Sequence, residues 1–139
     1  MSKLKQITSD LGVEESVVFH GRADDDKLDE IYHNSRIHLM PTTRQEGLPL
    51  TILEGMAYGL ATIASDIGGI PGVITNDFDG ILVRPNNQQE LDQAFENLLG
   101  NEQLIDSISK SARQTIEQRY SKQRMVDDTI EVLHGSMQN

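Results

Sequence analysis

The sequence contains no cysteine and few basic residues. Without cysteine there is neither a disulfide framework nor a thiolate metal site. Only 12 lysines and arginines stand against 22 acids, which gives a net charge of −10. Because nucleic acid and anionic lipid both require a basic face, this balance argues against nucleic-acid binding and against a polybasic membrane patch.

A long hydrophobic run is also missing. The longest weakly polar stretch, residues 47–64, is interrupted by Glu54, Pro49 and several glycines, and it is too short to span a bilayer. Residues 1–11 alternate charges with Leu4, Ile7 and Leu11, which is typical of a helix face rather than a signal peptide. We therefore expect a cytoplasmic protein without a membrane span.

The composition is that of an ordinary globular protein, with 139 residues, 37% hydrophobic and 24% charged, so one domain over residues 1–139 is expected. Short apolar runs at 17–20, 37–40, 62–64 and 81–83 predict four strands. The segments between them have helical patterns. This alternation predicts an α/β, Rossmann-like parallel sheet of about four strands with helices on both faces.

Capping residues predict where several helices begin and end. A helix over 49–58 lies between Pro49 and Gly59, and a single turn is expected at 71–74. Asn87, with Glu90 three residues later, resembles a capping box, and Ser121 is expected to cap the last helix. The apolar stripes of this helical tail, including Met125, Val126, Ile130 and Leu133, are predicted to be core.

Ligands of such sheets bind beyond the carboxyl ends of the strands, which directs attention to loops 21–24, 42–48 and 65–71. Gly47 permits a close ligand or a positive φ, and it stands before a helix whose free amides attract phosphate. Glu46 and Glu54 could hold hydroxyls at two places on one extended ligand.

The residues alone also allow less specific interpretations. An E-G turn before a helix is common, and a glutamate within a helix is usually solvated. Gly68 and Gly69 do not form G-x-G-x-x-G, so a plain strand-to-helix turn explains them. The histidines lack metal-ligand spacing, and His38, within a strand, is expected to be a core or sheet-face residue.

A series of motifs adds to this picture. Glu46 to Glu54 forms an E-x7-E pattern, preceded by VVFHG at 17–21 and IHLMPT at 37–42. It is followed by LEGMAYG at 53–59, ASDIGGIP at 64–71, DGILV at 79–83 and Tyr-Ser at 120–121. In this order the motifs resemble the family-four retaining glycosyltransferases, which have the GT-B fold. The chain resembles the later part of their C-terminal, nucleotide-sugar-binding domain.

The resemblance implies specific roles. Glu46 would be the catalytic residue that holds hydroxyls of the donor sugar. The other donor-binding positions would be Gly47, Leu48 and Pro49 near the diphosphate, Glu54 at the ribose, and Gly21, Arg22 and Ala23, after His20, at the base. The reaction would transfer a hexose from a nucleotide-diphosphate sugar to an acceptor in carbohydrate biosynthesis, with no cofactor and no obligatory metal.

The sequence differs from the family pattern at two residues, and it matches only the later part of the family's C-terminal domain. Ala61 and Gly72 stand where the family often has proline and glutamate. The family's diphosphate-neutralising arginine and lysine and its N-terminal acceptor domain precede the segment matched here. Arg22, Arg44 and Arg84 are the nearest basic residues, and none matches those positions. We therefore expect a truncated donor-binding domain that is inactive alone, and whose full enzyme is cytoplasmic or peripheral to the membrane.

Two other functions and two sheet arrangements remain open. The chain could instead be a nucleotide-sugar epimerase-like domain, or it could be a non-catalytic binding or interaction fragment. In the family's strand order 3-2-1-4-5-6, segments 17–20 and 37–40 correspond to strands 3 and 4, which are not neighbours. Either these two strands pair directly, or two copies join their edges. We favour a homodimer.

Overall fold

The computed structural model describes residues 2–136. The chain comprises two compact units, Met1–Ile31 and Tyr32–Asn139. In the first unit, helix α1 (Ser2–Asp10) ends before Gly12, whose φ of 65° only glycine adopts easily. A 3-10 turn follows at Glu14–Ser16, and helix α2 (Asp25–His33) begins after it and runs into the second unit.

The strand predicted at 17–20 is not formed. Val17 has the extended backbone that its β-branched side chain favours, with φ −121° and ψ 122°, but no strand is assigned to residues 17–20. A strand requires ladder hydrogen bonds from a neighbour as well as extended backbone. The described sheet therefore has three strands rather than about four, and direct pairing of 17–20 with 37–40, the alternative to the favoured homodimer, is not formed.

The sheet of the second unit contains β1 (Ile37–Met40), β2 (Ala61–Ser65) and β3 (Ile81–Val83). The strands lie in sequence order and all pair in parallel, with Ile37 opposite Ala61 and Ile63 opposite Ile81. A parallel sheet alternating with helices confirms the predicted fold class.

The helices of this unit are α3 (Leu50–Ala57), α4 (Gln88–Leu99), α5 (Glu102–Arg119) and α6 (Lys122–Ser136), with a 3-10 turn at Ile70–Gly72. The predicted caps are confirmed. The Asn87 side chain accepts a hydrogen bond from the Glu90 amide at 3.2 Å, and the Ser121 hydroxyl accepts one from the Arg124 amide at 3.2 Å.

Helices cover both faces of the sheet and form two apolar cores. The first core joins α3, one residue of β2, the segment after β2 and one residue of α5: Ile52, Met56, Ala64, Ile70, Val73, Ile74 and Ala112. The second joins the opposite face to α4 and α5: Ala61, Ile63, Val83, Ala94, Leu98, Ile105 and Ile108. Strand β2 lies between the two cores, and all five of its residues are buried.

A buried carboxylate connects α5 to the loop before β3. Asp79 is 1% exposed; it accepts a hydrogen bond from the Thr75 amide at 2.6 Å and another from the Thr115 hydroxyl at 2.7 Å. Both carboxylate oxygens are thus paired, as a buried acid requires. This pair of bonds fixes the turn at 75–80 against the middle of α5.

The last apolar stripe was wrongly predicted to be core. Met125 is 63% exposed, and Val126, Ile130 and Leu133 on the same helix are also exposed. Helical periodicity identifies residues that share a face, but it does not show whether another element covers that face. Among residues 2–136, no helix has both the length and the apolar character of a membrane span.

Candidate functional site

The candidate site lies where the three strands end. Because β1, β2 and β3 are parallel, their carboxyl ends lie along one edge of the sheet, and the loops at 41–49 and 66–72 leave from that edge. The first loop carries Glu46 and leads into α3; the second contains the two glycines Gly68 and Gly69. Two of the three loops selected from the sequence are therefore neighbours in the structure.

The two loops are held together through their backbones. The Gly69 amide donates a hydrogen bond to the Glu46 carbonyl at 2.8 Å. A side chain at Gly69 would overlap the carbonyl of Gly47, and one at Gly68, which has φ 61°, would overlap the backbone of Glu46. Glycine is therefore required at both positions. The interpretation of Gly68 and Gly69 as a plain strand-to-helix turn missed this requirement.

Gly47 has open space on the side where a side chain would stand, since among the described residues other than its two chain neighbours no atom lies within 4 Å of that position. Its φ is not in the positive range, so a positive φ is not the reason for glycine here, and the close approach of a ligand stays a prediction. Leu48 is exposed next to it, and Pro49 is buried as the residue before α3.

Helix α3 begins without a side-chain cap. Pro49 precedes its first residue, Leu50, and within residues 2–136 no side chain caps this end by a hydrogen bond. These amides carry the partial positive charge of a helix N-terminus. Glu46 lies half-buried just before this end, and Glu54 lies half-buried in the second turn of the helix.

Glu54 has a partner that the sequence did not reveal. The hydroxyl of Tyr32, near the end of α2, donates a hydrogen bond to Glu54 Oε2 at 3.1 Å. Tyr32 is 8% exposed, and its burial, followed by the hydrogen bond to Glu54, raises the pKa of its phenol from 10.0 to about 12. The sequence around Tyr32 does not indicate this contact, because helical spacing does not report where a terminal hydroxyl points.

Tyr32 makes two ring contacts, and a third lies beside them. Its ring stacks on Tyr58 with centroids 5.0 Å apart, and it meets the edge of His38 at 6.2 Å. His33 meets Tyr58 edge-on at 4.9 Å. The Tyr32 ring is therefore enclosed by neighbours that limit its reorientation.

His38 is a half-buried residue of strand β1, which agrees with the predicted core or sheet-face position. Its Nδ1 atom is buried and has no hydrogen-bond partner among the described residues. The ring packs against Gly55 of α3, where a side chain would come within 2.6 Å of Nδ1. Burial lowers the pKa of His38, and the nearby Glu54 partly opposes this shift. Residues 2–136 contain no group of three His, Asp or Glu side chains placed to hold a metal ion.

The two arginines near this edge of the sheet differ in whether they form an ion pair. Arg84, after β3, forms an ion pair with Glu90 at 2.9 Å, and this bond is the main reason that the pKa of Glu90 is lowered. Arg44 is exposed two residues before Glu46 and makes no ion pair with any described residue. The side chain of Arg44 is therefore free to pair with an anion near the loop at 41–49.

A pocket of about 350 Å³ opens at the same edge of the sheet. Its walls come from the ends of all three strands and from the start of α4, and include Pro41, Thr43, Ser65, Arg84 and Asn87. The sequence indicated the loops after β1 and β2 but not the loop at 84–87, which completes this pocket.

Gly21, Arg22 and Ala23 belong to the first unit. Gly21 has φ 68°, so the chain turns sharply there in a conformation that favours glycine. Asp24 accepts a hydrogen bond from the Lys27 amide at 3.0 Å and thereby caps α2. The role of residues 20–23 at a base stays a prediction.

Comparison with known proteins gives consistent results. A model of the family "Glycosyl transferases group 1" matches residues 1–115. An uncharacterized glycosyltransferase of Methanocaldococcus jannaschii is 26% identical over 97% of this chain and 34% of its own length. The sulfoquinovosyl transferase of Arabidopsis thaliana is 32% identical over 72% of the chain and 20% of its own length.

Solved structures agree with the fold. The C-terminal domain of a group 1 glycosyl transferase (LpcC) from Francisella tularensis has a TM-score of 0.79 and 26% identity, covering 87% of this chain and 62% of that one. HepE from Anabaena, in complex with UDP, has a TM-score of 0.86 and 25% identity, covering 96% and 36%. The chain spans about a third of the length of the relative from Methanocaldococcus and of HepE.

Proposed function

Because this chain belongs to the group 1 glycosyl transferases, we propose that it forms the donor-binding surface of a retaining enzyme that transfers a hexose from a nucleoside diphosphate to an acceptor. The main support is the placement of Glu46 and Glu54. Both carboxylates are half-buried at the carboxyl edge of a parallel sheet, on either side of an uncapped helix N-terminus. This arrangement suits a ligand with hydroxyls at both ends and an anionic centre.

Each group has a proposed part in binding. Glu46 accepts hydrogen bonds from hydroxyls of the donor sugar, and Glu54 accepts them from the ribose. The amides of Gly47 and Leu48, with the first turn of α3, face the diphosphate. Gly21, Arg22 and Ala23 contact the base. The complex of HepE with UDP supports a uridine nucleotide as the first ligand to test.

The proposed reaction is a substitution at the anomeric carbon of the sugar. The bond from this carbon to the diphosphate oxygen breaks, and a new bond forms to the acceptor hydroxyl oxygen on the same face. The hydroxyl proton passes to the departing diphosphate. The chain's part is to stabilise the negative charge that grows on this diphosphate, through the helix amides and Arg44.

We also propose that the 139-residue chain is inactive by itself and binds its nucleotide weakly. Two glutamates face the proposed diphosphate, while Arg84 is already paired with Glu90, so cations from an N-terminal acceptor domain are needed to balance the charge. Product analysis with a UDP-hexose and a range of acceptors tests this. Robust sugar transfer, or epimerisation of the hexose, by the purified chain would contradict the proposal.

Calorimetric titration tests the donor site. We expect Glu54→Ala to weaken binding of UDP and Glu46→Ala to weaken discrimination among UDP-hexoses, each by about 1.5–3 kcal/mol, the value of a charge-assisted hydrogen bond. Glu96→Ala, on the exposed side of α4, is the matched control and should bind like the wild type. Equal binding by all variants would reject the assignment.

A further inference from the structure

We infer that Tyr32 is a positioning residue for Glu54, which makes binding depend on the ribose hydroxyls of the nucleotide. This inference rests on the proposed function, since it gives Glu54 a ribose to hold. The observation behind it is the hydrogen bond of 3.1 Å from the Tyr32 hydroxyl to Glu54 Oε2. The bond joins the end of α2 to the second turn of α3, 22 residues apart in sequence.

The bond leaves most of the carboxylate available. An ionised carboxylate accepts at about four lone-pair sites, and one phenol occupies one of them. Residues 2–136 provide no other hydrogen bond to the Glu54 side chain. Oε1 and the remaining site on Oε2 are therefore open to a pair of neighbouring hydroxyls, such as the 2′ and 3′ hydroxyls of ribose.

The geometry of Tyr32 is suited to holding Glu54 in one orientation. A free glutamate loses up to about 2 kcal/mol of rotamer entropy when it is ordered. Tyr32 orders it before a ligand arrives, because the phenol is itself buried and enclosed by Tyr58 and His38. The ligand then meets a carboxylate that already has its binding orientation.

The alternative is that Tyr32 contributes packing alone. Its ring fills space between α2, β1 and the end of α3, and a ring without the hydroxyl would fill the same space. Tyr32→Phe separates the two roles, because it keeps the stack on Tyr58 and removes only the donor to Glu54. A loss of packing would weaken every nucleotide equally, whereas a loss of positioning would weaken only those with ribose hydroxyls.

The test is calorimetric titration of the full chain with UDP and with 2′,3′-dideoxyuridine diphosphate. We expect Tyr32→Phe to bind UDP roughly 5- to 10-fold more weakly than the wild type, as for one lost hydrogen bond. Its affinity for the dideoxy nucleotide should be unchanged. Tyr58→Phe makes the same chemical change on the neighbouring ring and should retain the wild-type preference for UDP.

A double-variant cycle gives a second, independent test of the inference. In a Glu54→Gln background the preference for ribose should already be reduced, and adding Tyr32→Phe should reduce it no further. Equal weakening of both nucleotides, or unchanged UDP binding by Tyr32→Phe, would overturn the inference while leaving the donor site intact. A wild type that binds neither nucleotide would overturn the proposed function and this inference together.

Discussion

The amide of Gly69 donates a hydrogen bond to the carbonyl of Glu46, 2.8 Å away. This contact joins the loops that follow β1 and β2, and it leaves no room for a side chain at Gly69. The position of the proposed catalytic carboxylate is therefore set by a glycine 23 residues later in the sequence.

Gly69→Ala should displace the loop at 46–47 and abolish most nucleotide binding. The new methyl group would overlap the Gly47 carbonyl, and backbone cannot move aside as a flexible side chain can. We expect UDP affinity to fall by at least about 10-fold and stability by about 1–3 kcal/mol, as in an overpacked site. Gly72→Ala, which meets open space, is the control. Equal titration curves for both variants would show that Gly69 is not needed to position the loop at 46–47.

Asp79→Ala should destabilise the protein by about 2–4 kcal/mol, because the Thr75 amide and the Thr115 hydroxyl both lose their buried acceptor. Denaturant unfolding measures this effect. Thr115→Ser should retain most of the stability, since its hydroxyl can still donate. Asp92→Ala, at an exposed site on α4, should change stability by less than about 0.5 kcal/mol. An equally small effect at Asp79 would show that its two bonds contribute little.

Gly55→Ala should have opposite effects in two backgrounds. With His38 present, the new methyl would press on the imidazole ring, so we expect a loss of about 1–3 kcal/mol. With His38→Ala, that contact is gone and the better helix propensity of alanine should add about 0.5–1 kcal/mol. Unfolding of the four members of this cycle measures the coupling. Additive changes would mean that Gly55 is not required by His38.

The stability of the protein should depend on Tyr32 at high pH. The pKa of this phenol is about 12 in the folded state and 10.0 ordinarily, so folding favours its neutral form. That contribution is complete below about pH 10 and is lost as the pH rises to about 12. The difference in unfolding free energy between the wild type and Tyr32→Phe should therefore shrink by about 2–3 kcal/mol across this range. A difference that does not change with pH would contradict the shift.

We expect the purified chain to form a homodimer through the free edge of β1, which in the described residues pairs only with β2. Unpaired strand edges favour association with another edge. Light scattering over a dilution series should show dimers that dissociate at low concentration. Leu39→Lys, which places a charge on an exposed position of β1, should shift the equilibrium toward monomer. A monomeric wild type at high micromolar concentration would exclude the dimer.

Local signals in the sequence predicted much of this fold. The strand at 81–83 and the helix caps at Asn87 and Ser121 are confirmed, because alternation and capping depend on residues close in sequence. The strand at 17–20 failed because pairing depends on a distant partner. The stripe on α6 failed for a similar reason, since periodicity does not identify what covers a helix face.

The candidate site was predictable to a smaller extent. The loop at Glu46 and the helix carrying Glu54 followed from the motif order and from the position of glycines and prolines. Gly69 and Tyr32 could not be identified, since each acts through a contact with a residue more than 20 positions away. Such contacts leave no periodic or capping pattern in the sequence around them.

The two cores on opposite faces of β2 lie at different places relative to the proposed donor site. The first core contains Ile52 and Met56 of α3 and Ile70, which directly follows Gly69. Substitutions in this core are therefore expected to displace the loops of the proposed donor site. The second contains Leu98 and Ile105 of α4 and α5 together with residues of β2 and β3, on the other face of the sheet. We therefore expect a lineage to gain or lose thermal robustness through the second core with less effect on the proposed donor site than through the first.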